Sequence, residues 1–373
     1  MNRAKSLVAL ATLAAATGAM AQVTLYGAVD AGYFNVSNIN AGTGNKSVSM
    51  ISGGALVSPV FGMRGTEDLG GGMSAVFNVE GDIEVTNGTT NSNGLFRRKA
   101  FAGVSSNSFG TVKLGVEINP LIALNSELMP LAGNAVSTMT STAFGYADFF
   151  TKNAVTWNSP NLSGLEATLQ KGMSNTIGES SAGSTTNYGL KYTNGGLKLI
   201  AAGQDRKAAV AAGQQSAAQT GATDKKADIL GVSYKLNDLT VSAASIKSTI
   251  GTSGKVGGSC TVAGTCFINA GSYKGTQYGV AYQVSPVLVV GASRTNATGG
   301  GNLTNMQARY SLSKRTSLYG LYATANNSNA TTGGIMFMPV GPSTSSTTWS
   351  VTSPGTAAAV GTGYGVTPGT KSN

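Results

Sequence analysis

Residues 66–82, TEDLGGGMSAVFNVEGD, set the rhythm of the chain. After three consecutive glycines, Met73, Ala75, Phe77 and Val79 share one face, and Ser74, Val76, Asn78 and Glu80 share the other. A period of two marks a strand with one apolar and one mostly polar side. The same alternation predicts fifteen strands, near 23–35, 57–66, 73–82, 95–104, 109–117, 153–158, 164–171, 187–193, 196–204, 228–236, 239–247, 273–283, 287–294, 303–312 and 316–326.

The connections between these strands alternate between long and short. The long ones are 36–56, 83–94, 118–152, 172–186, 205–227 and 248–272, with a shorter one at 295–302. The short ones are tight turns such as Asp68-Leu69-Gly70-Gly71-Gly72, Asn194-Gly195, Leu236-Asn237-Asp238, Ser285-Pro286 and Ser313-Lys314-Arg315, whose chemistry joins neighbouring antiparallel strands. A soluble sandwich has no reason to collect its long loops at one end, whereas a transmembrane barrel has short periplasmic turns and long extracellular loops. The expected fold is therefore an all-β, antiparallel transmembrane barrel, with the apolar face of each strand against lipid and the polar face lining a wet lumen. In the first strand, Val23, Leu25, Val29, Ala31 and Tyr33 should face outward and Thr24, Tyr26 and Asp30 inward. Tyr26 and Phe34 could alternatively belong to aromatic girdles at the rims.

Composition narrows the class. Arg3 and Lys5, the apolar stretch from Leu7 to Ala16, and Ala19-Met20-Ala21 read as a signal peptide over residues 1–21. The mature chain would begin at Gln22, with 23 basic and 15 acidic residues, a balance of +8. No later apolar run approaches the ~20 residues of a transmembrane helix. Lys and Arg are scattered rather than clustered, so no nucleic-acid partner is expected and the excess charge needs another use. The chain of 373 residues has no histidine, which excludes Ser-His-Asp and Cys-His nucleophiles and removes the commonest metal ligand. The GTGYG at 361–365 lacks the strand-to-helix context of a phosphate loop. Neither an enzyme nor a cofactor is expected.

Four ordered segments carry a resemblance: VTLYGAVDAGYF, FGMRGTEDLGGGMSAVFNVEGD, LFRRKAFAGVSSNSFGTVKLG and NAVTWNSPNLSGLEATLQ. They resemble the general porins of Gram-negative outer membranes, of the proteobacterial type whose mature chain opens with VTLYG. The match covers residues 22–171 closely and the strand rhythm to about 326. The resemblance implies a homotrimer of sixteen-stranded barrels in outer-membrane lipid. Each would be a water-filled pore narrowed by a loop folded inward after the fifth strand.

The matching loop is 118–152. Glu117, Glu127 and Asp148 are the acidic candidates of the constriction, facing a basic wall. By alternation Arg64 points inward with Gly62 and Thr66, and Lys113 with Thr111 and Glu117. Arg98 is placed inward by grouping it with Ala100 and Ala102 against an outward Phe101. Arg64 and Arg98 sit where the resembling family carries constriction arginines. Val60, Val116-Glu117 and the Phe150–Lys152 region depart from that family by lacking arginines common there, which makes the constriction less positive. Cys260 and Cys266 lie within a Gly/Ser/Thr-rich loop of an exported chain, a spacing that suggests a small disulfide loop; two free thiols are the other reading.

Together these residues point to passive diffusion of small hydrophilic solutes and ions, with a weak to moderate anion preference. The alternative is a non-conducting surface barrel acting as an adhesin through its long loops. Fifteen strands cannot close a single-chain bacterial barrel, and an open edge leaves backbone groups unpaired in lipid. Within the atypical segment 327–373 the expected closing strand is 357–367, with 333–339 as the other candidate.

Overall fold

The computed structural model describes residues 22–40, 45–53, 56–90, 94–129, 131, 148–208, 224–250, 271–297, 301–326 and the short strands at 336–337, 349–351, 359–361, 364–365 and 371–372. The expected signal peptide at 1–21 and both cysteines lie outside the described residues. The chain opens with β1 (Gln22–Ala28), β2 (Gly32–Asn40), β3 (Asn45–Ser52), β4 (Val60–Gly70), β5 (Met73–Asp82), β6 (Lys99–Ser106) and β7 (Gly110–Ile118). A short helix, α1 (Pro120–Ser126), precedes β8 (Phe150–Asn158), β9 (Leu165–Gly172), β10 (Thr185–Asn194), β11 (Leu197–Arg206) and β12 (Lys225–Leu236). Then come β13 (Leu239–Ile250), β14 (Gly271–Ser285), β15 (Leu288–Ala297), β16 (Gly301–Ser311) and β17 (Ser317–Asn326). Five short pieces end the chain: β18 (Met336–Phe337), β19 (Trp349–Val351), β20 (Ala359–Gly361), β21 (Tyr364–Gly365) and β22 (Lys371–Ser372).

Sixteen of these strands form one antiparallel sheet in the order β1-β4-β5-β6-β7-β8-β9-β10-β11-β12-β13-β14-β15-β16-β17-β22. Apart from the two ends, every neighbour in the sheet is a neighbour in sequence, the up-and-down order expected of a barrel. The turn between β4 and β5 shows how the short end is built. Gly70, Gly71 and Gly72 all adopt positive φ, 76°, 61° and 76°, a conformation costly for any residue with a Cβ.

Burial confirms which face is wet. On β1, Val23 and Leu25 are 56% and 75% exposed, while Tyr26 reaches inward and donates to Asn78 Oδ1 and Glu80 Oε2, both at 2.8 Å. Across the wall the buried residues are mostly polar, including Thr156, Gln170, Asn187, Gln204 and Gln277. Apolar side chains are buried chiefly where the loop after β7 covers the inner wall.

The structure departs from the expected strands at both ends of the chain. The first strand leaves the sheet at Ala28, and β2 and β3 form a separate hairpin where the alternation predicts the tail of a strand and a long loop. Phe34 lies in that hairpin, and Tyr26 lines the lumen rather than a rim. Asp30 explains the break. Its buried carboxylate accepts from the backbone N–H groups of Leu56 and Val57 at 2.8 and 2.9 Å, turning the chain. It also accepts from Tyr319 Oη on β17 at 2.7 Å, so the two ends of the sheet are drawn together by side chains.

At the other end, β17 pairs through Ala325 and Asn326 with Ser372 and Lys371 of β22. The expected closing segment 357–367 does not do this. Its described parts, β20 and β21, pair with β19 and β18 instead.

Candidate functional site: a loop docked on the inner wall

The segment between β7 and β8 turns into the barrel. Its departure is marked by a register shift between Gly115 and Glu117, with Gly115 at φ 139°, a bulge of the kind that re-aims a strand end. Asn119 then caps α1: its side chain accepts from Leu121 N at 2.9 Å, and Pro120 opens the helix. Proline suits that position because its missing N–H would be unpaired there anyway. Fully buried Asn119 also donates to Gln204 Oε1 on β11 at 2.6 Å and to Asp148 O at 3.0 Å. One residue thus ties both ends of the loop to the wall.

Between these ties the loop docks through apolar keys. Leu121, Ile122 and Leu128 pack with Ile200, Ala202, Ala227, Ile229, Ala244 and Ile246 of the inner faces of β11, β12 and β13. Three inward-facing glycines make the sockets. A Cβ on Gly189 would lie 2.8 Å from Leu124 Cδ1, on Gly291 2.6 Å from Leu131 Cδ1, and on Gly231 closer still to Leu128 Cδ1. Any side chain at these places would collide with the loop. The signal in the sequence is the spacing of Leu121, Leu124, Leu128 and Leu131, which recur every three or four residues like one helical stripe.

The expected charged residues fall into three groups. Glu127 and Asp148 lie on the docked loop and meet wall bases that sequence reasoning did not single out. Lys198 Nζ is 2.8 Å and Lys191 Nζ 3.5 Å from Glu127, and Arg206 Nη1 is 2.7 Å from Asp148. Gln204 adds a donor to Asp148 at 3.1 Å. Both acids therefore serve the wall on which the loop lies.

A second group sits on β5, β6 and the loop before β6. Arg98 Nε is 2.9 Å from Glu80 and its Nη1 3.1 Å from Asp82. Arg97 pairs with Asp82, and Lys99 Nζ with Glu80 at 3.1 Å. Both arginines lie over the ring of Phe150, at 5.4 and 5.2 Å. Arg98 reaches the lumen, but the alternation that placed it there is corrected. Lys99 pairs with Glu80 and Phe101 with Asn78 in the ladder, so Lys99 and Phe101 are inward, and Ala102 and Val104 face out. Arg98 precedes the strand and is free of its alternation. Lys113 is inward as expected, 4.8 Å above the Phe101 ring, and pairs with Glu117 at 2.9 Å.

Arg64 stands apart. It is inward on β4, with its guanidinium 5.4 Å from the Tyr26 ring centre, and among the described residues no carboxylate pairs with it. Around the sheet β4 lies eight strands from β12, the strand whose Gly231 receives the loop. Arg64 therefore stands half the sheet away from the wall on which the loop docks.

A sixteen-stranded antiparallel sheet with a lipid-facing apolar exterior, a polar interior and a loop folded into the lumen defines a β-barrel channel of the outer membrane. The chain belongs to the Gram-negative porin family, whose family model matches residues 6–330. It is 29% identical over 372 residues to an outer membrane porin protein of Bordetella pertussis, covering 87% of this chain and 94% of that protein. A shorter match, 45% identical over 120 residues, is to outer membrane porin protein 32 of Delftia acidovorans and spans 32% of that protein. Among solved structures the fold is shared with an anion-selective porin from Comamonas acidovorans. That match has a TM-score of 0.68 and 23% identity, and covers 95% of this chain and 97% of that one.

Proposed function

We propose that this porin passes small hydrophilic solutes and ions down their gradients, with a weak to moderate preference for anions, as a homotrimer. The constriction lies between the loop docked on β10–β13 and the opposing wall of β4–β6. The observation that carries the anion preference is the arrangement of charge. The loop acids Glu127 and Asp148 are each matched by wall bases, while Arg64 faces the lumen beside the Tyr26 ring and is paired with no carboxylate among the described residues. A narrow lumen with low-dielectric walls focuses the field of such a group. Val60 and Glu117 temper it, and salt screens it over about 8–10 Å near physiological ionic strength.

The test is reversal potential in a salt gradient across a planar bilayer, with wild type and Arg64→Ser side by side. Discrete conductance steps with a reversal potential on the anion side, moved toward cations by Arg64→Ser, support the reading. Silence in the bilayer would favour a surface-recognition barrel, and an unmoved potential would remove Arg64 from the constriction.

A further inference from the structure

Between α1 and the inner face of β7–β10, on the short-turn side of the docked loop, lies a cavity of about 260 Å³, close to the ~300 Å³ at which small-ligand pockets begin. Pro120, Ala123 and Leu124 of α1 form its apolar side. Lys113, Glu117, Glu127, Glu166 and Lys191 form the charged one. Glu127 is also held by Lys198, so three carboxylates meet three ammonium groups and the fixed charges sum to zero. Such a set gives a net anion or cation little advantage, but it favours a solute that carries separate opposite charges.

Two acceptors at one end of the cavity have capacity to spare. Asn158 ends β8 and Glu166 lies at the start of β9, on either side of the 159–164 turn, and both border the cavity. Asn158 donates its Nδ2 to Thr168 Oγ1 at 2.8 Å, while its Oδ1 is buried with no partner among the described residues. A buried acceptor left this way is costly, and an ammonium group brings three donors. Glu166 meets Lys191 through Oε2 at 2.9 Å, yet its side chain is 41% exposed, so its carboxylate has room for a second donor. Lys113 stands toward the other end, directly opposite Thr156 in the β7–β8 ladder and so two residues along from Asn158. Its ammonium gives Glu117 one hydrogen bond at 2.9 Å and has further N–H groups to offer.

We propose that this cavity is a resting site for a zwitterionic solute of amino-acid size, entered from the lumen. The solute's ammonium group sits between Asn158 Oδ1 and the Glu166 carboxylate, and its carboxylate takes Lys113 Nζ. An apolar side chain lies along Ala123 and Leu124 of α1. The inference rests on the reading of the chain as an open pore and adds a class of solute to it. It does not depend on the anion preference, because Arg64 has no part in the cavity.

The experiment is single-channel recording of the full-length protein in a planar bilayer at neutral pH. The probes are L-leucine, 4-methylpentanoate (leucine without its amine) and 3-methylbutylamine (leucine without its carboxylate). Conductance steps in salt alone test the pore reading separately, and silence there would remove pore and site together. Leucine should raise the current noise in a saturable way. Its apparent Kd should lie on the order of tenfold below that of either analogue, since each lacks one charged hydrogen-bonding group. Glu166→Gln should weaken leucine and 3-methylbutylamine and spare 4-methylpentanoate. Lys113→Gln should weaken leucine and 4-methylpentanoate and spare the amine, a crossed pattern that a merely structural effect does not produce. Folding of each variant is read from its heat-modifiable mobility. Equal binding of the three probes, or a loss that falls equally on all three in either variant, would overturn the proposal.

Discussion

Replacing Gly231 with valine should undock the middle of the lumenal loop while leaving the wall intact. A Cβ at 231 would run into Leu128 Cδ1, with Cδ2 and Cγ of the same side chain at 3.0 and 3.2 Å and no backbone atom among the three. Valine is also favoured in a strand over glycine, so β12 itself gains from the change. Leu128 is 1% exposed, and expelling it forfeits about 1.5–3 kcal/mol of burial. That is roughly a ten- to hundred-fold shift toward the undocked loop. The ion pairs of neighbouring Glu127 oppose this weakly, since its side chain is 33% exposed and such pairs contribute about 0–1 kcal/mol. The apolar key should therefore outweigh the charged tether, and Glu127→Gln should disturb the loop less than Gly231→Val. Liposome swelling with sugars of graded size, single-channel noise and limited proteolysis would report it: a larger size limit, a noisier open state and faster cleavage in the loop. Leu128→Ala should act in the same direction. Because it also removes the clash, the double variant should be no worse than Leu128→Ala alone. Independent, additive effects of the two substitutions would refute the socket, since residues in contact must couple.

Arg64→Ser and Arg98→Ser should both move the reversal potential toward cations. Only the latter should also lower the unfolding temperature, because Arg98 bridges two buried carboxylates; equal unfolding temperatures would contradict that bridge. Tyr319→Phe removes the donor from β17 to buried Asp30, just beyond the end of β1, and should cost about 1.5–3 kcal/mol, the range for hydrogen bonds to charged groups. It would appear as a lower heat-modification midpoint, and an unchanged midpoint would show that the fold does not depend on it. Cys260 and Cys266, in the loop between β13 and β14, should be bonded to each other. Peptide maps with and without reduction decide this, and two thiols alkylated without reduction would sink the idea.

How much of this is legible in the sequence depends on whether one face of a segment is unambiguous. β5 matches its expected span because apolar and polar residues alternate throughout it. The first strand misleads because Val29, Ala31 and Tyr33 continue the alternation beyond Ala28. What ends the strand is the Asp30 carboxylate taking N–H groups of Leu56 and Val57, which no local pattern encodes. Alternation reaches the right place for Arg98 by the wrong route, because it sets Phe101 against lipid. An aromatic ring is equally at home in the lumen when an ammonium lies over it, as that of Lys113 does. The glycine sockets are out of reach: Gly231 is a weak strand residue until Leu128 is known to fill its place. The leucine stripe of the loop, by contrast, is written in plain helical spacing.

The charge balance shows why composition alone cannot locate the site. An excess of +8 over residues 22–373 suggests a basic lumen, yet most lumenal bases are matched. Glu127 takes Lys191 and Lys198, Asp148 takes Arg206, and Glu80 with Asp82 takes Arg97, Arg98 and Lys99. These pairs fix the loop and the wall before they can bias a passing ion, because a base held by a carboxylate contributes little net field across the lumen. Bases outside these pairs are divided by the pleat. Arg64 faces the lumen, and Lys247 and Lys274 face the membrane at its outer edge. A one-residue difference in where a base falls along a strand decides which of these it joins.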